Sequence, residues 1–393
     1  MATDLSSGVV EKLKTAAVGV LAGKAPPTPS SREGRLVSLD TFRGFIMFWI
    51  VGGGGLMLGF EALGHNRPID AIVYELNHTP WQGLRFYDCI WPSFMLMAGV
   101  SIPLSIAKRS LTETHSQMLA HAFKRAGVLF LLGSVRESAS LGSPYLVELS
   151  SALQPIGIAY LVAFLLARKS PRFQAAVGAL ILAGYALLLA LVPAPGIPAG
   201  TYQLNHNLVN AVDVALFRDH WLRWPYAPEG WGTALSTIPT ISTTILGLLV
   251  GEWLMSARSR VNKLKMIAGA GILCLATGYA ISPWVPVIMK LWTASYGLAS
   301  AGCACLMFAV FHWVVDMRGW RKWSFPFVVI GSNAVFIYMF TSLVHLGRGM
   351  SIFTAGIAGM LGRAGPLFHE VSVVAVEWLI LFWMYKRRVF VKA

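Results

Sequence analysis

The sequence has 393 residues, of which 55% are hydrophobic and 13% charged, and its formal net charge is +14 at pH 7. Soluble domains carry roughly 25% charged residues, so this composition excludes an ordinary soluble protein. The basic residues form short clusters between apolar runs, a distribution that fits membrane orientation and disfavours nucleic-acid binding.

Residues 1–34 precede the first strongly apolar run. They contain a weakly hydrophobic stretch and then Pro26, Pro27 and Pro29, a composition typical of a linker. We predict a cytoplasmic tail that is partly disordered, followed by a membrane domain at residues 35–393.

Several apolar runs are long enough to cross a hydrocarbon core of about 30 Å, which takes roughly 20 helical residues. They lack the alternation of barrel strands, and backbone in lipid must satisfy its own hydrogen bonds. The predicted fold is therefore all-α, a polytopic helical membrane bundle of about ten transmembrane helices. The predicted spans are residues 44–60, 89–107, 119–135, 152–167, 174–192, 238–255, 266–281, 291–315, 327–344 and 371–385.

The charge distribution predicts the orientation of this bundle. When alternate loops are placed inside, they collect most of the 32 Lys and Arg residues, as the positive-inside rule requires. Both termini are then cytoplasmic, and the expected location is a bacterial cytoplasmic (inner) membrane. The opposite face carries residues 61–88, 193–237 and 345–370, and such long polar loops commonly hold functional residues.

Residues 35–44, which read RLVSLDTFRG, lead into the first predicted helix. Ser38, Asp40 or Thr41 could cap the helix, and exposed N–H groups at a helix start favour anions. Arg43 lies at the inner boundary. Two interpretations stay open: a capped helix with a snorkelling Arg43, or an anion site for a phosphorylated cofactor.

Four consecutive glycines, Gly52 to Gly55, fall in the outer half of the first predicted helix. Small residues allow close helix approach in membranes, and four in a row also permit unwinding beside a cavity. Close packing and a substrate channel are both left open.

His78 lies in the first outer loop, and Asp88 lies at the start of the second predicted helix. A histidine with a carboxylate partner can accept a proton from an attacking amine or hydroxyl, or be transiently acylated. The alternatives are an interfacial histidine and an aspartate that caps a helix.

Other polar residues stand at positions that need an explanation. Glu229 ends the second outer loop, and Asn333 and Glu377 lie at membrane depth, where polar groups are costly and suggest function or interhelical hydrogen bonding. We interpret His312 as an interfacial residue. The cysteines have no spacing typical of a zinc site, so we expect packing roles and no metal: Cys89, Cys274, Cys303 and Cys305.

The ordered set of motifs resembles the heparan-α-glucosaminide N-acetyltransferase family and its bacterial homologues. The matching segments are residues 35–44, 77–83 (NHTPWQG), 86–88 (FYD), 153–154, 226–230 (YAPEG), 291–296 and 331–333. Their order extends from about residue 35 to the C-terminus, and we expect a version without the family's large lumenal domain.

The resemblance implies an acyltransferase domain at residues 35–393 that takes an acetyl group from cytosolic acetyl-CoA and delivers it to an amino sugar or glycan on the opposite face. It implies His78 as the catalytic histidine, as base or acyl acceptor, and Asp88 as its partner. Cofactor contacts are then expected from Arg43, Asp40 and Asn333, and acceptor contacts from Trp81 and Glu229.

The sequence departs from the family pattern at Gly54, Pro155 and Ala227. Homologues often carry an amide or acidic group, an Arg and an Asp there, respectively. These departures make a catalytically inactive homologue one alternative, and a small-sugar or amino-sugar transporter without chemistry is the other. A homodimer is left open.

Overall fold

The structure is a computed structural model that describes residues 36–142, 149, 151–217 and 232–391. Arg35, Ala227 and Glu229 and the predicted tail at residues 1–34 lie outside the described residues. The described residues from Val37 onward belong to one compact unit.

Helices dominate the described chain. The first group is α1 (Val37–Ala62), α2 (Arg67–Leu76), α3 (Ile90–Arg109), α4 (His115–Leu141), α5 (Leu153–Leu166), α6 (Pro171–Leu191), α7 (Leu208–Phe217) and α8 (Ala234–Met255). The second group is α9 (Arg260–Ala280), α10 (Ala294–Phe311), α11 (Phe325–Ser332), α12 (Ala334–Leu343), α13 (Leu346–Met360) and α14 (Gly365–Lys386). A hairpin of two short antiparallel strands, β1 (Tyr202–Gln203) and β2 (His206–Asn207), precedes α7.

Seven helical segments of the described chain are long and apolar enough to cross a membrane, and eight if α11 and α12 form one bent span. These segments fit an integral membrane protein. Every predicted span overlaps a helix, but α5 has only 14 residues, and α9 begins with Arg260, Lys263 and Lys265. The count of about ten spans and the side of each terminus therefore stay predictions.

The predicted ninth span is broken rather than continuous. Asn333 separates α11 from α12, which meet at an angle of 65°. Its buried side-chain amide donates to the Val389 carbonyl at 3.0 Å and accepts from the Val391 N–H at 2.8 Å. The chain after α14 thus folds back onto the break, and the asparagine satisfies backbone groups that a continuous helix would not reach.

Glycines set the close contacts between helices. A Cβ at Gly99 of α3 would collide with the Thr244 carbonyl of α8, and one at Gly44 of α1 would collide with the Phe327 carbonyl of α11. Such close backbone approach is the usual role of small residues in membrane helix packing. Helix α1 is therefore fixed tightly against α11.

The glycine run of α1 serves the same purpose. The helix is continuous through residues 52–55, so it does not unwind. A Cβ at Gly52, Gly53 or Gly55 would meet the side chains of Val374, Tyr87 or Glu370, respectively, whereas one at Gly54 would meet open space. Three of the four glycines thus explain close packing.

The bundle has two distinct ends. At one end, which we call the basic end, α1 begins and α10 and α14 finish, close to the exposed Arg318, Arg321 and Lys386. At the other, the loop end, α1 finishes and α3, α8, α10 and α14 begin. The segments predicted as outer loops contain α2, the hairpin with α7, and α13.

Candidate functional site

His78 and Asp88 meet at the loop end. His78 follows α2, and Asp88 lies in a short 3₁₀ turn, Tyr87–Cys89, that leads into α3. The His78 Nδ1 and Asp88 Oδ1 atoms are 2.8 Å apart. The His78 side chain is 38% exposed, whereas the Asp88 side chain is fully buried, so the pair combines a reachable imidazole with a sheltered carboxylate.

The Asp88 carboxylate is held by several further donors. It accepts from the Thr79 hydroxyl at 2.6 Å, from the Thr79 N–H at 3.3 Å and from the Arg85 N–H at 3.0 Å. A carboxylate only accepts, so the Nδ1 of a neutral His78 must carry the proton. The Nε2 atom is then the basic nitrogen, and it faces away from Asp88.

Neighbouring side chains fix the backbone around the pair. The Arg85 guanidinium donates to the His78 carbonyl at 3.1 Å and lies over the Tyr74 ring. The Tyr296 hydroxyl, at the start of α10, donates to the Asp88 carbonyl at 2.7 Å. The imidazole is thus positioned by three separate elements: α2, the 3₁₀ turn and α10.

Trp81 ties the His78 segment to the hairpin. Its indole N–H donates to the Tyr202 carbonyl at 2.8 Å, and the Gly83 N–H donates to the Val287 carbonyl at 2.9 Å. Trp81 also packs against a buried apolar cluster that includes Tyr185. The structure therefore places Trp81 three residues from His78 with its nitrogen bound to main chain.

A second buried carboxylate lies at the loop end. Asp213 of α7 accepts from the N–H groups of Thr233 and Ala234, at 2.9 and 3.0 Å, and so caps the start of α8. Burial raises the pKa of Asp213 to about 6. This carboxylate holds the segment before α8 against α7.

The predicted cofactor residues lie away from His78, toward the basic end. Arg43 and Asp40 form an ion pair at 3.7 Å on the first turns of α1. Asn333 lies at the break between α11 and α12, where both ends of its amide bind main chain. Since a Cβ at Gly331 would collide with the Asp40 carbonyl, Asn333 lies near this part of α1. These three residues share a region that excludes His78.

A second histidine–aspartate pair occurs at the basic end. The His312 Nδ1 and Asp316 Oδ2 atoms are 3.3 Å apart, in a π-helical segment, His312–Met317, that continues α10. Asp316 also accepts from the Ser38 hydroxyl and from the Ser38 N–H at 3.4 Å. His312 is 4% exposed, and its Nε2 has no hydrogen-bond partner in the described chain.

The sequence analysis does not pair His312 with Asp316, and the structure shows that His312 is buried at the basic end. Its four-residue spacing from Asp316 was an available signal. The contact with Ser38 was not, since Ser38 and Asp316 are 278 positions apart. A π-helical segment is rare and occurs frequently at functional sites.

The fold and the two pairs define a class: an α-helical membrane protein with a reachable, carboxylate-bound imidazole at one end and a buried one at the other. Tyr296, which contacts Asp88, and His312 lie on the same helix, about 24 Å apart at 1.5 Å per residue. The His78–Asp88 pair therefore lies at the loop end of the bundle and the His312–Asp316 pair at the basic end.

Two known proteins are similar to this chain. Human heparan-alpha-glucosaminide N-acetyltransferase is 24% identical over 422 aligned positions, which cover 91% of this chain and 60% of the human protein. The mouse protein of the same name is also 24% identical, over 93% of this chain and 62% of its own length. The chain thus spans about 60% of these relatives, a resemblance at the family level. No model of a known protein family matches it.

Proposed function

We propose that this chain is a transmembrane acetyltransferase, which moves the acetyl group of cytoplasmic acetyl-CoA to an amino sugar or glycan at the loop end. The observation that carries the proposal is the His78–Asp88 pair, with 2.8 Å between Nδ1 and Oδ1 and a partly exposed imidazole. The relatives are named N-acetyltransferases, which supports the same chemistry.

In this proposal His78 Nε2 takes the proton that the acceptor amine or hydroxyl loses as it attacks the acetyl carbonyl. The C–S bond of the thioester then breaks, and coenzyme A leaves as the thiol after its sulfur receives that proton. Asp88 keeps the proton of neutral His78 on Nδ1 and stabilises the imidazolium that forms. Transient acetylation of Nε2 is the alternative role for the same nitrogen. In both cases the buried carboxylate keeps the imidazole in one orientation.

The basic end would hold the coenzyme. Coenzyme A is polyanionic, and the positive-inside rule puts the exposed Arg318, Arg321 and Lys386 on the cytoplasmic side. Arg43 would assist in binding the coenzyme phosphates, and Asp40 and Asn333 would help to position the coenzyme. Two buried nitrogens, His312 Nε2 and Trp49 Nε1, have no hydrogen-bond partner among the described residues and fit a ligand with polar groups along its length.

Trp81 and Glu229 would shape the acceptor site at the loop end, and Trp81 would do so by fixing the segment that carries His78. The proposed location is a bacterial cytoplasmic membrane, with residues 1–34 as a tail, the acyltransferase domain at residues 35–393 and both termini cytoplasmic. A homodimer is compatible with this arrangement.

The experiment uses purified protein in detergent, acetyl-CoA with an isotope-labelled acetyl group, and glucosamine, with the product measured by mass spectrometry. We expect labelled N-acetylglucosamine, and His78→Ala should lower the rate by at least about a hundredfold, because loss of a general base typically costs that much or more.

The matched control is His65→Ala. His65 lies in the same outer segment and pairs with Asp70 at 3.1 Å, but its side chain is 86% exposed, so this variant should react like the parent. Unchanged transfer by His78→Ala would contradict the catalytic assignment. Absence of any acetylated product would contradict the acetyltransferase proposal with this acceptor.

A transporter is the second candidate function, favoured by one observation. Broken helices at membrane depth often line transport sites, and α11 and α12 are broken at Asn333. It predicts uptake of labelled amino sugar into proteoliposomes that needs no acetyl-CoA. Uptake in the absence of acetyl-CoA, without acetylated product, would support this function over the first.

A further inference from the structure

We infer that the buried His312–Asp316 pair binds the pantetheine arm of the coenzyme, the flexible chain of amides and a hydroxyl between the nucleotide and the thiol. The inference rests on the proposed acetyl transfer and assigns a residue to it that neither the motifs nor the relatives' names supply. It is carried by the His312 contacts and by a run of aromatic rings that leads from His312 to the Asp88 segment.

His312 has one nitrogen engaged and one available. The Asp316 carboxylate accepts a hydrogen bond from the His312 Nδ1–H. Ser38 of α1 in turn donates its hydroxyl and its N–H to Asp316. The imidazole therefore cannot turn to satisfy Nε2 without losing Asp316. With its proton on Nδ1, Nε2 is an acceptor. A buried polar atom of this kind normally has a partner, and the partner it fits is an amide N–H or a hydroxyl.

Aromatic rings connect this nitrogen to the other end of the bundle. We call six of them the aromatic column. Their consecutive ring centroids are 5.0 to 6.2 Å apart, within the usual range for aromatic contacts. The column consists, in order from the loop end, of Phe86, Trp49, Phe45, Phe311, Phe42 and Phe308.

The two ends of the column coincide with the two histidine–aspartate pairs. Phe86 is two residues before Asp88, and Phe308 stacks on the His312 ring at 6.3 Å. The column is thus a continuous row of packed apolar rings that runs along α1 and α10 from the basic end to the catalytic segment, and its Phe42 and Phe308 rings are fully buried. A slender, flexible ligand arm that must cross the bundle would find this route without a buried charge.

A second unpartnered nitrogen lies in the same row. Trp49 Nε1 is buried and has no hydrogen-bond partner in the described chain. Trp49 and Ser38, which contacts Asp316, are about 16 Å apart along the axis of α1. A donor at Trp49 and an acceptor at His312 therefore match a ligand whose carbonyl and N–H groups are spread along a chain.

Phe45, Phe86 and Trp49 are each partly exposed, whereas Phe308, which stacks on the His312 ring, is fully buried. Entry of the arm as far as His312 therefore requires Phe308 to move. The nucleotide would remain outside, near the exposed basic residues, and only the arm would enter.

Two histidine variants separate the roles of the two nitrogens. The Asn amide nitrogen corresponds in position to Nδ1, so His312→Asn keeps the contact with Asp316 and removes Nε2. The Gln amide group corresponds to Nε2, so His312→Gln retains a polar group there. Trp49→Phe keeps a ring in the column and removes only its donor.

The experiment measures binding by calorimetry to the full chain in detergent, with coenzyme A and, separately, with adenosine 3′,5′-bisphosphate, which lacks the arm. We expect His312→Asn to weaken coenzyme A binding about tenfold and His312→Gln less, as for loss of one hydrogen bond. Trp49→Phe should weaken it several-fold. None of these variants should alter binding of the bisphosphate.

His121→Asn is the matched control. His121 also lies beside a carboxylate near the basic end, at 3.7 Å from Glu113, but its side chain is 50% exposed, so coenzyme A binding should not change. The melting temperature of each unliganded variant shows whether it folds. If His312→Asn does not fold, the binding measurement is made with His312→Gln alone.

Three results would contradict the inference. Unchanged coenzyme A affinity in both His312 variants, with transfer activity in the parent, overturns the assignment of His312 and leaves the acetyltransferase proposal intact. An equal loss for both ligands places His312 at the phosphates instead of the arm. A parent protein that binds no coenzyme A overturns both proposals together.

Discussion

The two histidine–aspartate pairs share a hydrogen-bond pattern and differ in exposure. In each pair Nδ1 meets a carboxylate that is also bound by a hydroxyl, from Thr79 at the loop end and from Ser38 at the basic end. The His78 side chain is 38% exposed, however, and the His312 side chain only 5%. The His78 imidazole can therefore contact a substrate from solvent, whereas the His312 imidazole is buried against Phe308.

This difference indicates two kinds of role for the same side-chain pair. A reachable Nε2 can exchange a proton with a substrate at every turnover. A buried Nε2 without a partner instead costs about 1–3 kcal/mol in the unliganded protein, and a ligand that supplies the missing hydrogen bond recovers part of that cost. The loop-end pair is therefore suited to catalysis and the basic-end pair to binding.

The largest effect should come from Asp88→Asn. The carboxylate accepts hydrogen bonds from Thr79, Arg85 and His78. An amide in its place can turn its N–H toward His78 Nδ1 and so favour the tautomer of His78 with the proton on Nε2. We expect kcat for acetyl transfer to fall by about 10²–10⁴-fold, with little change in KM for acetyl-CoA. Steady-state kinetics over a range of acetyl-CoA concentrations measure both constants.

The control for Asp88→Asn is Thr79→Val. It removes the hydroxyl donor at 2.6 Å but leaves the contact with His78, so its loss of kcat should be far smaller. If the two variants lose activity equally, the effect of Asp88→Asn reflects the fold of this segment and not the tautomer of His78.

The next effect tests the other half of the comparison. Asp316→Asn replaces the acceptor that orients His312, so the imidazole can turn and Nε2 loses its fixed direction. We expect KM for acetyl-CoA to rise about tenfold while kcat changes little, as for one misplaced hydrogen bond. Initial rates over a range of acetyl-CoA concentrations, with the acceptor at saturation, give the two constants.

Ser38→Ala should produce a weaker form of the same effect. It removes one donor to Asp316 and leaves the His312 contact in place. A fall in kcat with unchanged KM in Asp316→Asn would assign the basic-end pair to catalysis, and the contrast between the two ends would then be wrong.

The sequence predicted the helices well because the signals for them are local. Every span predicted from the apolar runs and basic clusters overlaps a helix, although the ninth is broken at Asn333. The motif resemblance selected His78 and Asp88, which the structure brings to 2.8 Å. Their spacing of ten residues is closed by a single loop and turn. Short-range geometry of this kind can be expected from sequence.

What the sequence missed depends on contacts between distant segments. The break at Asn333 requires the chain at Val389 and Val391 to return to it. The basic-end pair requires Ser38 to reach Asp316 across 278 positions, and the aromatic column requires rings from α1 and α10 together with Phe86. No periodicity in a single segment encodes these contacts.

The smallest effect on catalysis is expected at Asp213, a buried carboxylate that binds backbone N–H groups in place of a histidine. Burial raises its pKa to about 6, from about 3.9 in an unfolded chain. Between these values the folded state holds a proton that the unfolded state has lost, so stability from this group falls as pH rises from 4 to 6. The contribution levels off by about pH 7.

The consequence is a pH-dependent melting temperature that Asp213→Asn should flatten. Relative to the parent at pH 7, the parent at pH 5 should gain on the order of 1 kcal/mol from this group, whereas the variant should show no such gain. Melting in detergent at half-unit steps from pH 5 to 7 measures both profiles. Since Asp213 is part of neither pair, kcat and KM should stay within a few-fold of the parent. An equal pH dependence in parent and variant would show that groups other than Asp213 titrate in this range and would contradict the assignment.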